Sequence, residues 1–456
     1  MNIPNYVAAV IGALENAGYE AYVVGGCVRD ALSGKVPHDY DVATSALPEE
    51  TKRSMGGLKV VETGIKHGTV TVISEGRQVE VTTYRIDGDY RDGRHPESVS
   101  FTRSLEEDLA RRDFTVNGMA YGRGVLVDIF GGQDDLKSGV IRCIGAPEKR
   151  FSEDALRIMR ALRFSAVLGF EIEENTARHA VESRRLLKKV SAERILAELK
   201  QLIRGKDAER VLRQFPEIFS EIIPELAPEI GFEQHSRYHD SALYEHSVRA
   251  VGAVKEALNG TGAEYDEKTE TALGLAMLLH DCGKVHCRSF GEDGEGHYYG
   301  HANISAEIAD GVLRRLKCSN ADRERICGII KYHDLPIELS GRFLRRQLSK
   351  HGELLRDIIV AHIADDMAKR EFCRDRIPQY YEALKKVSAI EAEKPCLTVK
   401  ELAVNGNDLK ELLPPSPELG RVLKELLAEV IDGRLENKRI ALIKRAAELT
   451  ERGGFV

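Results

Sequence analysis

Two aspartates, Asp39 and Asp41 in His38-Asp39-Tyr40-Asp41, stand a few positions after the run Gly25-Gly26-Cys27-Val28-Arg29-Asp30. Alternate side chains of a strand share a face, so Asp39 and Asp41 are expected to point together and Tyr40 away. Two carboxylates on one face repel unless a cation lies between them, and an all-oxygen donor set suits Mg²⁺. The glycines follow a short apolar stretch, Ala21-Tyr22-Val23-Val24, and let backbone N–H groups come close to phosphate oxygens. An isolated Asp-x-Asp is ordinarily a solvated turn. Behind a strand and a glycine turn it reads as the centre of metal-assisted nucleotidyl transfer. Glu80 alternates with Val79 and Val81 and is the candidate for a third carboxylate.

Further along, Arg111-Arg112-Asp113-Phe114-Thr115-Val116-Asn117 combines guanidinium groups with an aspartate and an asparagine. That mixture suits a triphosphate and a ribose hydroxyl. A helix is expected over Phe151–Arg163, with Ser152 as its N-cap and acids in the first turn. On it Asp154, Arg157, Arg160 and Arg163 fall at i, i+3 spacing and form one ridge. A second pattern follows a break near Pro216, Pro224 and Pro228: His246, then His280-Asp281 at the end of an apolar run, then Ala364-Asp365-Asp366. Histidine nitrogens and carboxylates on neighbouring helices suit a divalent transition metal that activates water for phosphoester hydrolysis. His301 and His333 are the candidates for a second metal position there.

The elements that must hold these groups are partly legible. Residues 3–17 read as a helix, and Leu47-Pro48-Glu49-Glu50-Thr51 as a helix start with proline near the first turn. Thr69–Ile73 and Val79–Tyr84 flank Ser74-Glu75-Gly76-Arg77 as a hairpin. Asp87–Pro96 is all turn residues and is expected to be a mobile loop. Residues 166–230 read as helices rich in Lys and Arg, suited either to solvent or to RNA. After Pro414-Pro415 an amphipathic helix is expected from Glu418 to Ile431. A length of 456 residues allows about three domains at roughly 150 each. The net charge of −7 argues against a basic nucleic-acid coat, so any RNA contact must use local arginine patches. Eight cysteines without CxxC pairing point to reduced thiols and a cytoplasmic location. No apolar run approaches the ~18 residues of a membrane span. No signal peptide is evident.

Taken in order, GGCVRD, HDYD, VEVTTYR, RRDFTVNGMAY and EDALRIMRALRF resemble the motifs of class II tRNA nucleotidyltransferases, over roughly residues 20–165. These enzymes build or repair the 3′-terminal CCA of tRNA and share a superfamily with bacterial poly(A) polymerases. The resemblance implies an α+β protein: a polymerase-β-like head with a small mixed sheet over 1–145, then an all-α neck over 146–230. In the head Asp39 and Asp41 hold Mg²⁺ with Glu80 in support, and Gly25, Gly26, Arg29, Arg112, Asp113 and Asn117 take the incoming CTP or ATP. Asp154 and Arg157 match the pair that reads the base, and Arg160 and Arg163 complete the nucleotide pocket. The pattern His246, His280, Asp281, Asp365 resembles the HD phosphohydrolase superfamily, giving an HD body over 231–370 and a helical tail over 371–456. The implied partners are tRNA, CTP and ATP. The loop at 87–96 resembles one present in CCA- and A-adding enzymes and missing from CC-adding ones. The segment 62–69 resembles the CCA-adding side rather than the poly(A) side. A poly(A) polymerase, an A-adding enzyme, or an HD phosphodiesterase or phosphatase are the alternative readings.

Overall fold

The computed structural model describes residues 1–65, 68–87, 99–413 and 415–452. Beyond its first residue, the expected loop over 87–96 lies outside the described residues, as do Lys66 and His67 of the segment 62–69. The chain falls into two compact units, Met1–Ala227 and Pro228–Val456.

The first unit begins with the helix Asn5–Asn16, followed by β1 (Ala21–Val24), β2 (Asp41–Thr44), β3 (Lys59–Gly64), β4 (Thr69–Ser74) and β5 (Arg77–Thr83). A short ribbon, β6 (Arg85–Asp87) with β7 (Val99–Phe101), precedes β8 (Met119–Gly122) and β9 (Val125–Asp128). Seven of these strands make one sheet in the order β3-β4-β5-β2-β1-β8-β9. It is mixed, because β2 runs parallel to β5 while the other pairs are antiparallel. The β-branched runs foreseen as a hairpin are β4 and β5, and Glu75 and Gly76 between them both take positive φ. That is the backbone twist a two-residue hairpin turn demands. Val42, Val70, Val72, Val79 and Val81 are buried on the face covered by Tyr6, Val7, Val10 and Leu14 of the first helix. The alternation of buried and open positions along β4 is what a one-sided sheet requires.

Beyond the sheet, the expected single helix over 151–163 is two helices, Pro147–Glu153 and Leu156–Leu168. Asp154 at the joint has φ −139° and ψ 102°, outside helical space. Its carboxylate accepts the N–H of Leu156 at 3.0 Å, a local bond that competes with continuing the helix. Ser152 is not an N-cap; its hydroxyl donates to the Lys149 carbonyl within the first helix. Helices Glu174–Glu182, Ala192–Ile203, Ala208–Gln214 and Pro216–Ile222 complete the unit. The neck is not all-α, since Glu171–Ile172 pairs in parallel with Val140–Ile141 of the head.

The second unit is a helical bundle whose centre is Leu243–Asn259, Glu267–Leu279 and Leu354–Ala368. Over most of their length the last two are buried on nearly every side, and apolar residues dominate their sequences there. One small ribbon, Ser289–Phe290 with Gly296–His297, interrupts the helices. The tail has its own core, in which Leu409, Leu426 and Leu442 bring together Gly406–Leu409, Pro417–Ile431 and Arg439–Arg452.

Candidate active site and a buried histidine–aspartate cluster

Eleven of the expected head and neck residues line one cleft of about 400 Å³: Gly25, Gly26, Arg29, Asp41, Arg112, Asp113, Asn117, Asp154, Arg157, Arg160 and Arg163. Arg111 and Phe164 also line it. Gly25 sits at φ 77°, and a Cβ there would lie 3.1 Å from an Arg112 nitrogen. Only glycine fits that turn and that guanidinium together. Gly26 already belongs to the next helix, Gly26–Leu32.

The carboxylates are arranged differently from expectation. β2 begins at Asp41, so Asp39 precedes the strand and the alternation rule does not place it. Asp39 is almost fully exposed, 3.1 Å from His38 Nδ1. Glu80 is the register partner of Asp41 across the parallel β2–β5 pair, which puts their side chains on one face. The Asp41 carboxyl is pushed above its usual range, by desolvation first and then by the Glu80 charge. Arg112 pulls it down, and Asp39 adds to the rise. Asp41 with Glu80 beside it and Asp39 just before the strand is an oxygen-only donor set that fits Mg²⁺.

The arginines are held from behind. Asp108, fully buried, accepts from Arg111 at 2.8 Å and from Arg112 at 3.2 Å. The Nε of Arg112 has no partner among the described residues. Arg29 donates to Asn117 Oδ1 at 2.7 Å, and Asn117 Nδ2 donates to Asp113 at 3.2 Å. Asp113 accepts from Arg160 Nε at 2.8 Å. Burial pushes the Asp113 carboxyl up, but the Arg160 cation outweighs it and holds the group down at about 2. Arg163 and Arg160 both face Glu198, and Arg29, Arg160 and Arg163 all lie over the ring of Phe164, Arg163 closest at 3.8 Å.

Asp154 and Arg157 line the same cleft but do not lie on one helix ridge. Asp154 Oδ2 accepts from Arg194 at 2.9 Å. Arg157 is buried and donates to Glu153 at 2.7 Å and to the carbonyls of Arg150 and Arg111. Each is oriented by its own partners. Arg194, Glu198 and Asp108 were not singled out from the sequence, and nothing in their local spacing marks them.

In the second unit His246, His280, Asp281 and Asp365 come together, all buried, and His301 and His333 join them. His246 Nε2 lies 3.1 Å from Asp365 Oδ1 and 3.2 Å from His280 Nε2. Across Asp281, His301 Nε2 lies 3.2 Å from both Asp281 Oδ1 and His333 Nε2. The Nδ1 atoms of His280, His301 and His333 donate to the carbonyls of Met277, Tyr298 and Ile330 at 2.7, 2.9 and 2.7 Å. A ring whose Nδ1 carries the proton presents a lone pair at Nε2. His301 and His333 therefore aim two lone pairs at each other, and among the described residues Oδ1 of Asp281 and of Asp365 find no hydrogen-bond donor. The donor set fits divalent cations.

Similarity to known proteins extends over both units. Residues 21–142 match the family described as "Poly A polymerase head domain". Residues 169–230 match "Probable RNA and SrmB- binding site of polymerase A", and 299–446 match a tRNA nucleotidyltransferase domain 2. The CCA-adding enzyme of Lactobacillus delbrueckii subsp. bulgaricus is 35% identical over 438 residues, 95% of either chain. That of Enterococcus faecalis is 34% identical over 460 residues, 99% of this chain and 98% of its own. The solved CCA-adding enzyme of Bacillus stearothermophilus, in complex with CTP, matches with a TM-score of 0.73 at 29% identity, covering 100% of this chain and 99% of its own. A glycine turn, a carboxylate pair and an arginine-lined cleft thus stand in a chain similar from end to end to these relatives, and the chain belongs to the CCA-adding enzymes, a family of tRNA nucleotidyltransferases.

Proposed function

We propose that this protein rebuilds the 3′-terminal CCA of tRNA from CTP and ATP without a nucleic-acid template, releasing pyrophosphate. One observation carries the reading: the glycine turn, Asp41, six arginines and the Asp154 carboxylate all line a single cleft. Asp39, Asp41 and Glu80 would hold Mg²⁺, which when bound neutralises triphosphate charge and favours ionisation of the attacking 3′-hydroxyl. Gly25 opens the backbone to a phosphate, and Arg29, Arg111 and Arg112 supply its countercharge. Asp113 and Asn117 keep Arg160 and Arg29 in place around the nucleotide. Arg163 stays against Phe164 and Glu198 at the cleft wall.

Base choice follows from donors and acceptors. Cytosine offers N4–H₂ beside the N3 acceptor, and adenine offers N6–H₂ beside N1. Guanine and uracil present the reverse order. A carboxylate only accepts and a guanidinium only donates, so Asp154 takes the amino proton while Arg157 donates to the ring nitrogen. Arg194 occupies one lone pair of Asp154 Oδ2 and leaves another. The segment 169–230 is the tRNA-binding neck of this reading, and the eight unbridged cysteines accord with a cytoplasmic enzyme.

The test is incubation with tRNA lacking its 3′ end and labelled CTP or ATP, singly and together, with products sized to the nucleotide. Addition of C, C and A followed by a stop is the expected result. A long A-tail would make the protein a poly(A) polymerase, and A alone on CC-ending tRNA an A-adding enzyme.

A second reading concerns the other cluster. The opposed Nε2 lone pairs, and aspartate oxygens with no donor among the described residues, favour divalent cations, which His246, His280, Asp281 and Asp365, with His301 and His333, would hold in an HD-type phosphohydrolase site. Such cations, when bound, activate water for phosphoester hydrolysis. Elemental analysis of the purified protein checks it: metal is expected in the wild type and lost in His280→Ala/Asp281→Ala. A wild type without metal above background makes the cluster structural.

A further inference from the structure

The helix Leu354–Ala368 brings more than Asp365 to the buried cluster. His362 stands three positions before Asp365 and four before Asp366, so the three share one side of the helix. All three line a cavity of about 310 Å³, together with Asp281, His301 and His333 of the cluster. His362 is 8% exposed and Asp366 2%. Among the described residues, His362 Nε2 and Asp366 Oδ2 are buried without a hydrogen-bond partner. Neither residue belongs to the donor groups placed to share a metal ion, His246–His280–Asp365 and His280–Asp281–His333.

Both atoms are acceptors. The His362 ring bonds the Leu335 backbone in a way that favours its protonated form, which is donation to a carbonyl. Because Nε2 has no partner, that proton sits on Nδ1, and burial keeps the ring neutral, its pKa pushed down to about 3. Nε2 is then a bare lone pair. The ring of Tyr380 stacks on that of His362 at 25° and fixes its plane. Arg376 takes Oδ1 of Asp366 at 2.5 Å and leaves Oδ2. The other cations of the cavity are committed as well, Lys284 to Asp281 at 2.6 Å and Lys369 to Asp365 at 2.5 Å. Two spare acceptors beside cations already paired call for O–H donors.

On the phosphohydrolase reading of the cluster, hydrolysis joins a water oxygen to phosphorus and breaks the ester P–O bond. A water proton ends on the departing oxygen, which leaves as an alcohol. We propose that His362 Nε2 and Asp366 Oδ2 receive further hydroxyl groups of that alcohol, so that the site takes phosphate esters of polyols in preference to simple alkyl phosphates. The inference rests on the phosphohydrolase reading and adds to it the part of the substrate that is not phosphate. A site built to pair with substrate hydroxyls rejects an analogue without them, because its own buried groups are then left bare.

The full-length protein, loaded with Mn²⁺, is assayed on glycerol 1-phosphate and on n-propyl phosphate, which has the same carbon chain and no hydroxyl. Bound metal is measured by elemental analysis. Wild type should favour glycerol 1-phosphate in kcat/KM by about 10²-fold or more. His362→Phe keeps a ring against Tyr380 and removes Nε2, so metal content should hold while the preference falls about tenfold or more. His362→Gln returns an acceptor and should recover part of that preference. Equal kcat/KM on the two esters in wild type, which needs no variant to fold, would overturn the proposal. So would an unchanged preference in His362→Phe, or loss of its metal at an unchanged melting temperature. A wild type that binds no metal, or hydrolyses neither ester, would overturn the phosphohydrolase reading itself and this inference with it.

Discussion

The cleft of the first unit is built from long side chains and the cluster of the second from short ones. In the cleft Arg111, Arg112, Arg160 and Arg163 reach their positions only because Asp108, Asp113 and Glu198 hold them. In the cluster three of the four imidazoles are fixed by a carbonyl of their own segment, as His280 is by Met277. The first site is open, and Arg160 and Arg163 are restrained by residues distant in sequence, Asp113 and Glu198. The second is buried, and its donors are restrained locally. Flexible groups oriented by partners can follow two different bases in turn, whereas rigid donors at short range suit an ion of fixed size.

The largest expected effect tests whether the two sites work separately. Asp41→Ala should lower nucleotide addition by about 10³-fold or more, since a metal ligand and its charge neutralisation go together. Binding of tRNA should survive. His280→Ala/Asp281→Ala should leave single-turnover addition within about twofold, as ordinary for a change outside the reacting centre. If both variants lose addition alike, the separation drawn between the sites is wrong.

Next comes base choice. Asp154→Ala should cut the preference for C over U by about 10²-fold or more, because the acceptor that defines the pattern is gone. Single-nucleotide incorporation from each of the four triphosphates reads it. An unchanged preference would make Asp154 a mere helix-joint residue, with the base read elsewhere.

A smaller effect is expected from the outer partners. Glu198→Gln removes the charge that Arg163 and Arg160 face, and should raise KM for CTP and ATP about tenfold with less change in kcat. Equal losses in kcat and kcat/KM would place Glu198 in transition-state binding instead.

The smallest is a pH effect on stability. The Asp113 carboxyl is held down at about 2 against an ordinary 3.8. A depressed carboxylate stabilises the fold above its unfolded pKa and stops doing so as pH falls through the folded one. The stability difference between wild type and Asp113→Asn should therefore be full above about pH 4 and shrink by about 2 kcal/mol toward pH 2. Thermal melts across that range check it, and a difference flat with pH would mean Asp113 is not the ionised partner of Arg160.

What was readable in the sequence was local. Gly25 after an apolar strand, the β4–β5 hairpin and the His280-Asp281 helix end all depend on neighbours a few residues apart, whereas the same-face pairing expected of Asp39 with Asp41 failed because β2 begins only at Asp41. Asp108 sits on a short helix among Glu106 and Glu107, with nothing to mark it as the buried one. Arg194 and Glu198 are two charges on a helix surface that has several. Only the packing of Ala192–Ile203 on Leu156–Leu168 shows that they face Asp154 and Arg163. The joint at Asp154 was missed for another reason. The spacing of Asp154, Arg157, Arg160 and Arg163 fits a continuous helix, and a helix-compatible pattern does not reveal a carboxylate that prefers to bond the N–H two residues on.

The parallel pairing of β2 with β5 has a consequence for how the head assembles. Asp41 and Glu80 face each other only once the whole crossover through β3 and β4 has closed. The β4–β5 hairpin is local and forms early, while closing the longer loop costs entropy before it returns any contact. Like charges thus meet at a longer loop closure than that of the hairpin, so their repulsion does not burden the local pairing. A carboxylate set delivered by a neighbouring hairpin would have met that repulsion at the nucleus.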